Sequence, residues 1–194
     1  NYEDSLFKSA RKLIIYNKIE FFLDIGSCWG IYSLRLSKIK KLKILSFDPI
    51  PKNIKWLCEL LKINNIKNIK LFNTALGSRR DKIKLYGDAE FTPNYSIYEK
   101  KKKNMSISKI HKLDNIVKIY KKKLYLKVDI EGHEYPFIIG AKKILSNNNI
   151  ILQIELFENN KKKVFQYLKK NNFRLIYSYK SDHIFSNFKA KTLQ

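Results

Sequence analysis

Phe21-Phe-Leu-Asp-Ile-Gly-Ser-Cys-Trp-Gly30 reads as a strand, a glycine turn and the start of a helix. Its first five residues form a short apolar run that stops at Gly26, the mark of a buried strand. From Trp29 to Ser37, Ile31, Leu34 and Leu36 recur among polar residues, which predicts a helix directly after that strand. Gly26 frees the backbone to turn, and Gly30 lets a ligand or a helix come close. The spacing is Gly-x-x-x-Gly rather than the Gly-x-Gly-x-x-Gly of a dinucleotide site, which disfavours a nicotinamide dehydrogenase. Asp24 stands before the first glycine, where it would repel a pyrophosphate and suits a cationic ligand carrying an amino group and a sulfonium. Taken alone, the segment also reads as a tight strand–helix turn with no ligand.

Outward from this unit, strands and helices alternate. Apolar runs at 42–47, 69–72, 124–130 and 150–156 read as strands. Helices are expected from Pro51 through Leu61, from Glu134 through Ile144, and over 160–170. Runs 173–179 and 183–187 flank Ser181-Asp182 as a closing hairpin. The pattern predicts an α/β fold with a doubly wound, mostly parallel sheet and a C-terminal antiparallel hairpin. One domain is expected over 1–194, with 1–20 as a lead-in. Residues 78–114 form a surface excursion with a strand at 82–86, long enough to suggest a functional role. Ligands of such folds bind beyond the carboxyl ends of the strands, here after Ile25, Phe47, Phe72, Ile130 and Leu156.

Composition narrows the classes. The chain has 194 residues, with 44% hydrophobic and 13% aromatic, enough for a packed core. No apolar run approaches the roughly 20 residues of a membrane span. Early charges and the lack of a small-residue cleavage site argue against a signal peptide. The chain does not start with Met, so a trimmed or longer parent protein is expected. Cys28 and Cys58 are the only cysteines, too few for a disulfide framework, and a reducing cytoplasm fits. A net charge of +23 is the footprint of a nucleic-acid binder. Yet the arginines favoured for phosphate and base recognition are few: Arg11, Arg35, Arg79, Arg80 and Arg174. Lys, Asn and Ile rise together, as A+T-rich codons dictate, so Lys100–Lys103, Lys121–Lys123 and Lys161–Lys163 read as solvated faces.

Two further stretches carry chemistry. Asp48 closes the second strand, where a carboxylate can accept from both hydroxyls of a ribose; it is also an ordinary turn residue before Pro49. Lys127-Val-Asp-Ile-Glu-Gly-His-Glu134 places Asp129 as the last inward position of its strand, with Glu131, His133 and Glu134 crowded around Gly132. Carboxylates gathered at a strand end raise one another's pKa, so the set implies a purpose. Capping a helix is an adequate account of any one of them, not of all.

In order and spacing, several stretches resemble the FkbM-type S-adenosylmethionine-dependent methyltransferases. They are Asp24-Ile-Gly-Ser-Cys-Trp-Gly-Ile-Tyr-Ser33, Phe47-Asp-Pro-Ile-Pro-Lys-Asn53, Thr74-Ala-Leu-Gly77, Leu113-Asp114, Lys127–Glu134, Gly140-Ala141 and Ile154-Glu155. The likeness runs from about Phe21 to Asn187. It implies a class I, Rossmann-like methyltransferase fold, S-adenosylmethionine as cofactor, and O-methylation of a sugar, glycan or small metabolite. By position, Asp24, Gly26, Ser27, Cys28 and Gly30 would cradle the methionine end. Asp48 with Pro49 would hold the ribose, Asn73, Thr74 and Ala75 would lie near the adenine, and Asp129 would border the cofactor. The chain departs from the family at Cys28, where Asn is usual, and at Asp48, where Glu is common.

Methyl transfer to oxygen needs in-line geometry and removal of the hydroxyl proton. His133 is the expected general base, with Asp129 and Glu131 orienting it or the substrate. In a rival version Asp129, Glu131 and Glu155 hold a divalent cation. His111 and His183 lie outside the motifs and read as surface or edge residues. Trp29 reads as core; Phe91, Tyr95 and Tyr98 read as loop anchors or an aromatic wall, with specificity expected in 92–103. The basic charge keeps two alternatives open: an RNA methyltransferase, whose usual Asn-Pro-Pro-Tyr-like or cysteine motifs are missing here, and a non-catalytic basic interaction module on the same scaffold.

Overall fold

A computed structural model describes residues 2–87 and 104–192. The excursion residues Phe91, Tyr95 and Tyr98, and the specificity segment 92–103, lie outside the described residues. The chain opens with α1 (Tyr2–Tyr16), β1 (Phe21–Ile25), α2 (Ile31–Leu36), β2 (Lys43–Asp48), α3 (Pro51–Ile63) and β3 (Ile69–Asn73). Then come β4 (Ala75–Leu76), β5 (Asp81–Gly87), β6 (Asn104–His111), α4 (Leu113–Ile116) and β7 (Lys123–Val128). The last elements are α5 (Glu134–Gly140), α6 (Lys142–Asn147), β8 (Asn149–Glu155), α7 (Glu158–Lys170), β9 (Arg174–Tyr179) and β10 (Asp182–Ser186).

Seven strands form the main sheet in the order β3-β2-β1-β7-β8-β10-β9. The pairs among β3, β2, β1, β7 and β8 are parallel, while β10 runs antiparallel to both β8 and β9. The chain winds outward from β1 in both directions, so the order reverses between β1 and β7 and opens a crevice at their carboxyl ends. Strand alternation sends successive side chains to opposite faces. Phe22, Tyr125 and Ile151 pack with α1, α2 and α3 on one side. Their neighbours Leu23, Leu126 and Leu152 pack with α4 to α7 on the other. The expected mostly parallel, doubly wound α/β sheet with an antiparallel hairpin is therefore the observed one.

Several local readings are corrected. The lead-in is a 15-residue helix, because Leu6, Phe7, Ala10, Leu13 and Ile14 are spaced to bury one face. Within the excursion, β5 and β6 pair antiparallel and β4 joins β6 in a second, three-stranded sheet. The single helix expected after Glu134 is interrupted between Gly140 and Lys142. A Cβ on Gly140 would stand 1.9 Å from the Gly77 carbonyl oxygen, so the two segments meet closely at the break. Trp29 is 41% exposed rather than in the core, and His183 is buried rather than at the surface. The His183 ring packs edge-on against Phe165, and its Nδ1 bonds the Ser178 hydroxyl at 2.8 Å.

Candidate active site

The turn after β1 is held from below and from the side. The amides of Gly26 and Ser27 both donate to the Phe47 carbonyl at 3.0 Å, and Gly30 N donates to Ser27 O at 2.7 Å. Three of its residues have left-handed backbone: Gly26 at φ 81°, Cys28 at φ 47° and Gly30 at φ 73°. A Cβ on Gly26 would lie 1.8 Å from the Asp129 carbonyl oxygen. One on Gly30 would lie 2.5 Å from a Leu57 methyl on α3. Both glycines are therefore required by protein neighbours, and at Gly30 it is the helix, not a ligand, that comes close. Cys28 carries a side chain where Asn is among the few residues that tolerate the conformation.

Asp48 is the brace of this turn. Its Oδ2 accepts from Cys28 N at 2.8 Å, and its Oδ1 accepts from Ile50 N at 2.8 Å and Asn53 Nδ2 at 3.1 Å. Burial nevertheless pushes its pKa up to about 6. Burial, and then the Asp48 charge, push the Cys28 thiol up to about 11, so it stays protonated. Asn73 Nδ2 donates to the Asp48 carbonyl at 3.0 Å. The Thr74 hydroxyl is taken up by the Ala75 and Lys109 carbonyls and by His111 Nδ1 at 2.9 Å.

Across the crevice, β7 ends at Val128, so Asp129 sits one residue beyond the strand rather than as its last inward position. Its amide still continues the ladder, donating to Ile25 O at 3.0 Å. Lys127 Nζ lies 3.0 Å from Asp129 Oδ2, with its side chain only 13% exposed. Burial works against the Lys127 ammonium, but the Asp129 and Asp24 carboxylates outweigh it and hold its pKa above the ordinary lysine value. Burial would raise Asp129, and the Lys127 charge reverses this and holds it below the carboxylate range. Asp24 is 1% exposed. Its Oδ2 accepts from Ser33 Oγ at 2.6 Å, and Ser33 Oγ lies 2.7 Å from Ser46 Oγ. Burial raises the Asp24 pKa above its ordinary value. Asp24 Oδ1 and Ser27 Oγ are buried with no hydrogen-bond partner.

These groups border two openings at the reversal of strand order. A narrow cleft is lined by Asp48, Pro49, Thr74, Ala75, Glu131 and His133. A chamber of about 700 Å³ lies under the first turns of α1, lined by Asp24, Ser27, Trp29, Lys127, Glu155 and Asp182 among others. Gly26, Cys28 and Asp129 border both. The expected catalytic trio is thus divided: Asp129 faces both spaces, while Glu131 and His133 line the cleft alone. Burial lowers the His133 pKa to about 4, which keeps the imidazole neutral and weakly basic. Glu155, by contrast, lines the chamber and accepts from Ser181 Oγ at 2.9 Å. Burial and the Asp129 charge push its pKa up to about 7. Glu134 is fully buried and structural, accepting from Gly132 N at 2.9 Å and from Asn160 Nδ2. Among the described residues no three His, Cys, Asp or Glu side chains gather to hold a metal ion, so Asp129, Glu131 and Glu155 are not so arranged.

Lys127, Asp182 and Tyr2 belong to the chamber without having been singled out from the sequence. Lys127 was detectable, as a charge between Leu126 and Val128 in a strand buried on both faces. Tyr2 donates to Asp182 Oδ2 at 2.8 Å across 180 residues of chain, and no local pattern announces that contact.

The donor set fits the cofactor that the resemblance implies. Asp24 Oδ1 offers a buried acceptor for an ammonium, and Ser27 Oγ offers a buried donor for a carboxylate. These are the two charged groups of an amino-acid end.

Comparison with solved structures agrees on the fold. An rRNA methylase of Streptococcus thermophilus superposes with a TM-score of 0.55 at 13% identity, covering 98% of this chain and 95% of that one. A ribosomal protein L11 methylase of Lactobacillus delbrueckii gives 0.55 at 15% identity, over 96% of this chain and 78% of that one. A Streptococcus mutans protein assigned as a methyltransferase, in complex with S-adenosylhomocysteine, gives 0.54 at 13% identity, over 90% and 93%. At such identities the likeness concerns the fold alone. No curated protein matches the sequence. No described helix is long and apolar enough to cross a membrane. The sequence profile of the Methyltransferase FkbM domain matches residues 24–175, from the Asp24 turn to the β9 edge, and the chain belongs to that family of S-adenosylmethionine-dependent methyltransferases.

Proposed function

We propose that the chain is an O-methyltransferase that uses S-adenosylmethionine to methylate a hydroxyl of a sugar, glycan or small metabolite. The chamber under α1 carries this reading. Its volume of about 700 Å³ falls in the range of small-molecule sites. Six carboxylates line it against three cations, Arg35, Lys127 and Lys180. An acidic lining suits a cationic cofactor and a hydroxylated acceptor and repels a phosphate backbone.

The cofactor, when bound, supplies a methyl group already activated by its sulfonium. Asp24 Oδ1 and Ser27 Oγ take its amino-acid end, Asp48 and Pro49 its ribose, and Asn73 to Ala75 the edge of its adenine. Lys127 keeps Asp129 ionised at the border of cleft and chamber. We assign removal of the acceptor proton to Glu155 in place of His133. Glu155 faces the chamber with a pKa of about 7, whereas His133 faces the cleft with a pKa of about 4. A base is matched to its task when its pKa lies near the working pH. The fold, the cofactor and the acceptor chamber are read as one domain.

The net charge of +23 favours a second reading, an RNA methyltransferase whose basic outer surface holds the phosphates. Incubation with methyl-labelled S-adenosylmethionine, with methyl glycosides in one reaction and total RNA in another, separates the two. Label in the small-molecule fraction is the expected result. Label in RNA, with binding that falls steeply in salt, would establish the alternative.

A further inference from the structure

The chamber reverses the sign of the protein around it. The chain carries 40 Lys and Arg against 17 Asp and Glu, yet carboxylates outnumber cations two to one in the chamber lining. Its cations are largely engaged: Arg35 with Asp4 at 2.8 Å, Lys127 with Asp129 at 3.0 Å, and Lys180 over the rings of Tyr2 and Tyr179. Among the described residues Asp24, Glu155 and Asp182 have no ion-pair partner. They converge from three strands, β1, β8 and β10, on the space beside the Gly26–Gly30 turn. The buried, unpartnered Asp24 Oδ1 and Ser27 Oγ mark that same space as built for a bound polar group.

Methyl transfer changes the charge of the cofactor while barely changing its shape. The sulfonium gives its methyl to the acceptor oxygen, the C–S bond electrons stay on sulfur, and the hydroxyl proton leaves to a base. The cofactor's sulfur is therefore cationic before the reaction and neutral after it. We propose that the chamber reads this difference, with Glu155 and Asp182 holding the sulfonium of S-adenosylmethionine and favouring release of the uncharged thioether S-adenosylhomocysteine, while Asp24 takes the ammonium that both carry. The inference rests on the cofactor reading above. Charges interact more strongly in a chamber walled by protein than across solvent, and the surface lysines lie in water, where salt screens them.

Three ligands of one shape test it by calorimetry at low ionic strength and about pH 8, above the Glu155 pKa of about 7. They are S-adenosylmethionine, S-adenosylhomocysteine, and sinefungin, in which a protonated amine stands in place of the methylated sulfur. The expected result is that both cationic ligands bind about ten-fold more tightly than S-adenosylhomocysteine. Glu155→Gln, which can still accept from Ser181, should weaken the two cations by about five-fold and leave S-adenosylhomocysteine within about two-fold. Asp182→Asn, which can still accept from Tyr2, should act in the same direction. Wild-type protein that binds S-adenosylhomocysteine as tightly as S-adenosylmethionine would overturn the proposal while sparing the cofactor reading. So would a Glu155→Gln variant that weakens all three equally. Failure of folded wild-type protein to bind any of the three would overturn both. The wild-type comparison needs no variant to fold, and circular dichroism checks those that are made.

Discussion

Replacing Gly26 by Ala should damage the protein more than replacing Gly30, although both glycines are left-handed and belong to one motif. Each substitution places a Cβ on a backbone at φ 81° or φ 73°, which costs roughly 1–2 kcal/mol in either case. The difference lies in what the Cβ meets. At Gly30 it meets two methyls and Cγ of Leu57 at 2.5, 2.7 and 3.2 Å, the far end of a flexible side chain. At Gly26 it meets a backbone carbonyl at 1.8 Å. That carbonyl belongs to Asp129, whose amide is bonded to Ile25. Relief requires the β1–β7 junction to part, with loss of that hydrogen bond at about 1 kcal/mol and disturbance of the Lys127–Asp129 pair. Gly26→Ala is therefore expected to lose about 2–3 kcal/mol and Gly30→Ala about 1–2, against a typical domain stability of about 5–15 kcal/mol. Urea unfolding followed by circular dichroism measures both. Equal losses, or a larger loss at Gly30, would refute the reasoning that the Asp129 backbone is what demands Gly26.

Other outcomes follow from single contacts. Cys28→Asn should stabilise the fold by about 0.5–1 kcal/mol, since Asn tolerates φ 47° better, as thermal unfolding would show. Lys127→Met leaves Asp129 without its ion-pair partner and should cost about 3 kcal/mol, read by denaturant titration. His133 has its folded pKa lowered from 6.5 to about 4. The unfolded chain therefore binds more protons in that window, and the stability this group confers is lost as pH falls below about 6.5. His133→Gln should accordingly gain on wild type between pH 7 and pH 4, by up to about 3 kcal/mol. For turnover, Glu155 predicts a rate that rises with pH through about 7, a limb that Glu155→Gln abolishes and His133→Ala retains.

The sheet was legible because each parallel strand holds a short apolar run broken by a single polar residue, Asp24, Ser46, Lys70, Lys127 or Gln153. What escaped did so for physical reasons. In β6 the serine at 108 is buried while Met105 and Ile107 are 54% and 58% exposed, so its alternation is inverted. In α1 the apolar spacing from Leu6 to Ile14 is regular, and an assignment as lead-in passed over a helix whose period was present. Trp29 lies inside the Gly26–Gly30 turn, where it is 41% exposed and lines the chamber, a placement its hydrophobicity does not announce. In the site, the turn at 24–30, Asp48 and Asp129 were legible as local motifs. The chamber was not, because Tyr2, Glu155 and Asp182 meet only through tertiary structure. The burial of His133, and with it a pKa of about 4, is invisible in the sequence.

Calorimetric titration with S-adenosylhomocysteine, on wild-type protein and on Asp24→Asn, asks whether the Asp24 turn holds the cofactor. The substitution leaves an acceptor for Ser33 and replaces the unpartnered Oδ1 by a donor. Wild-type binding at micromolar affinity with one site per chain, weakened by about ten-fold or more in the variant, some 1.4 kcal/mol, is the predicted result. A folded wild-type protein that binds no S-adenosylhomocysteine, or a variant that binds it as wild type does, would contradict the account.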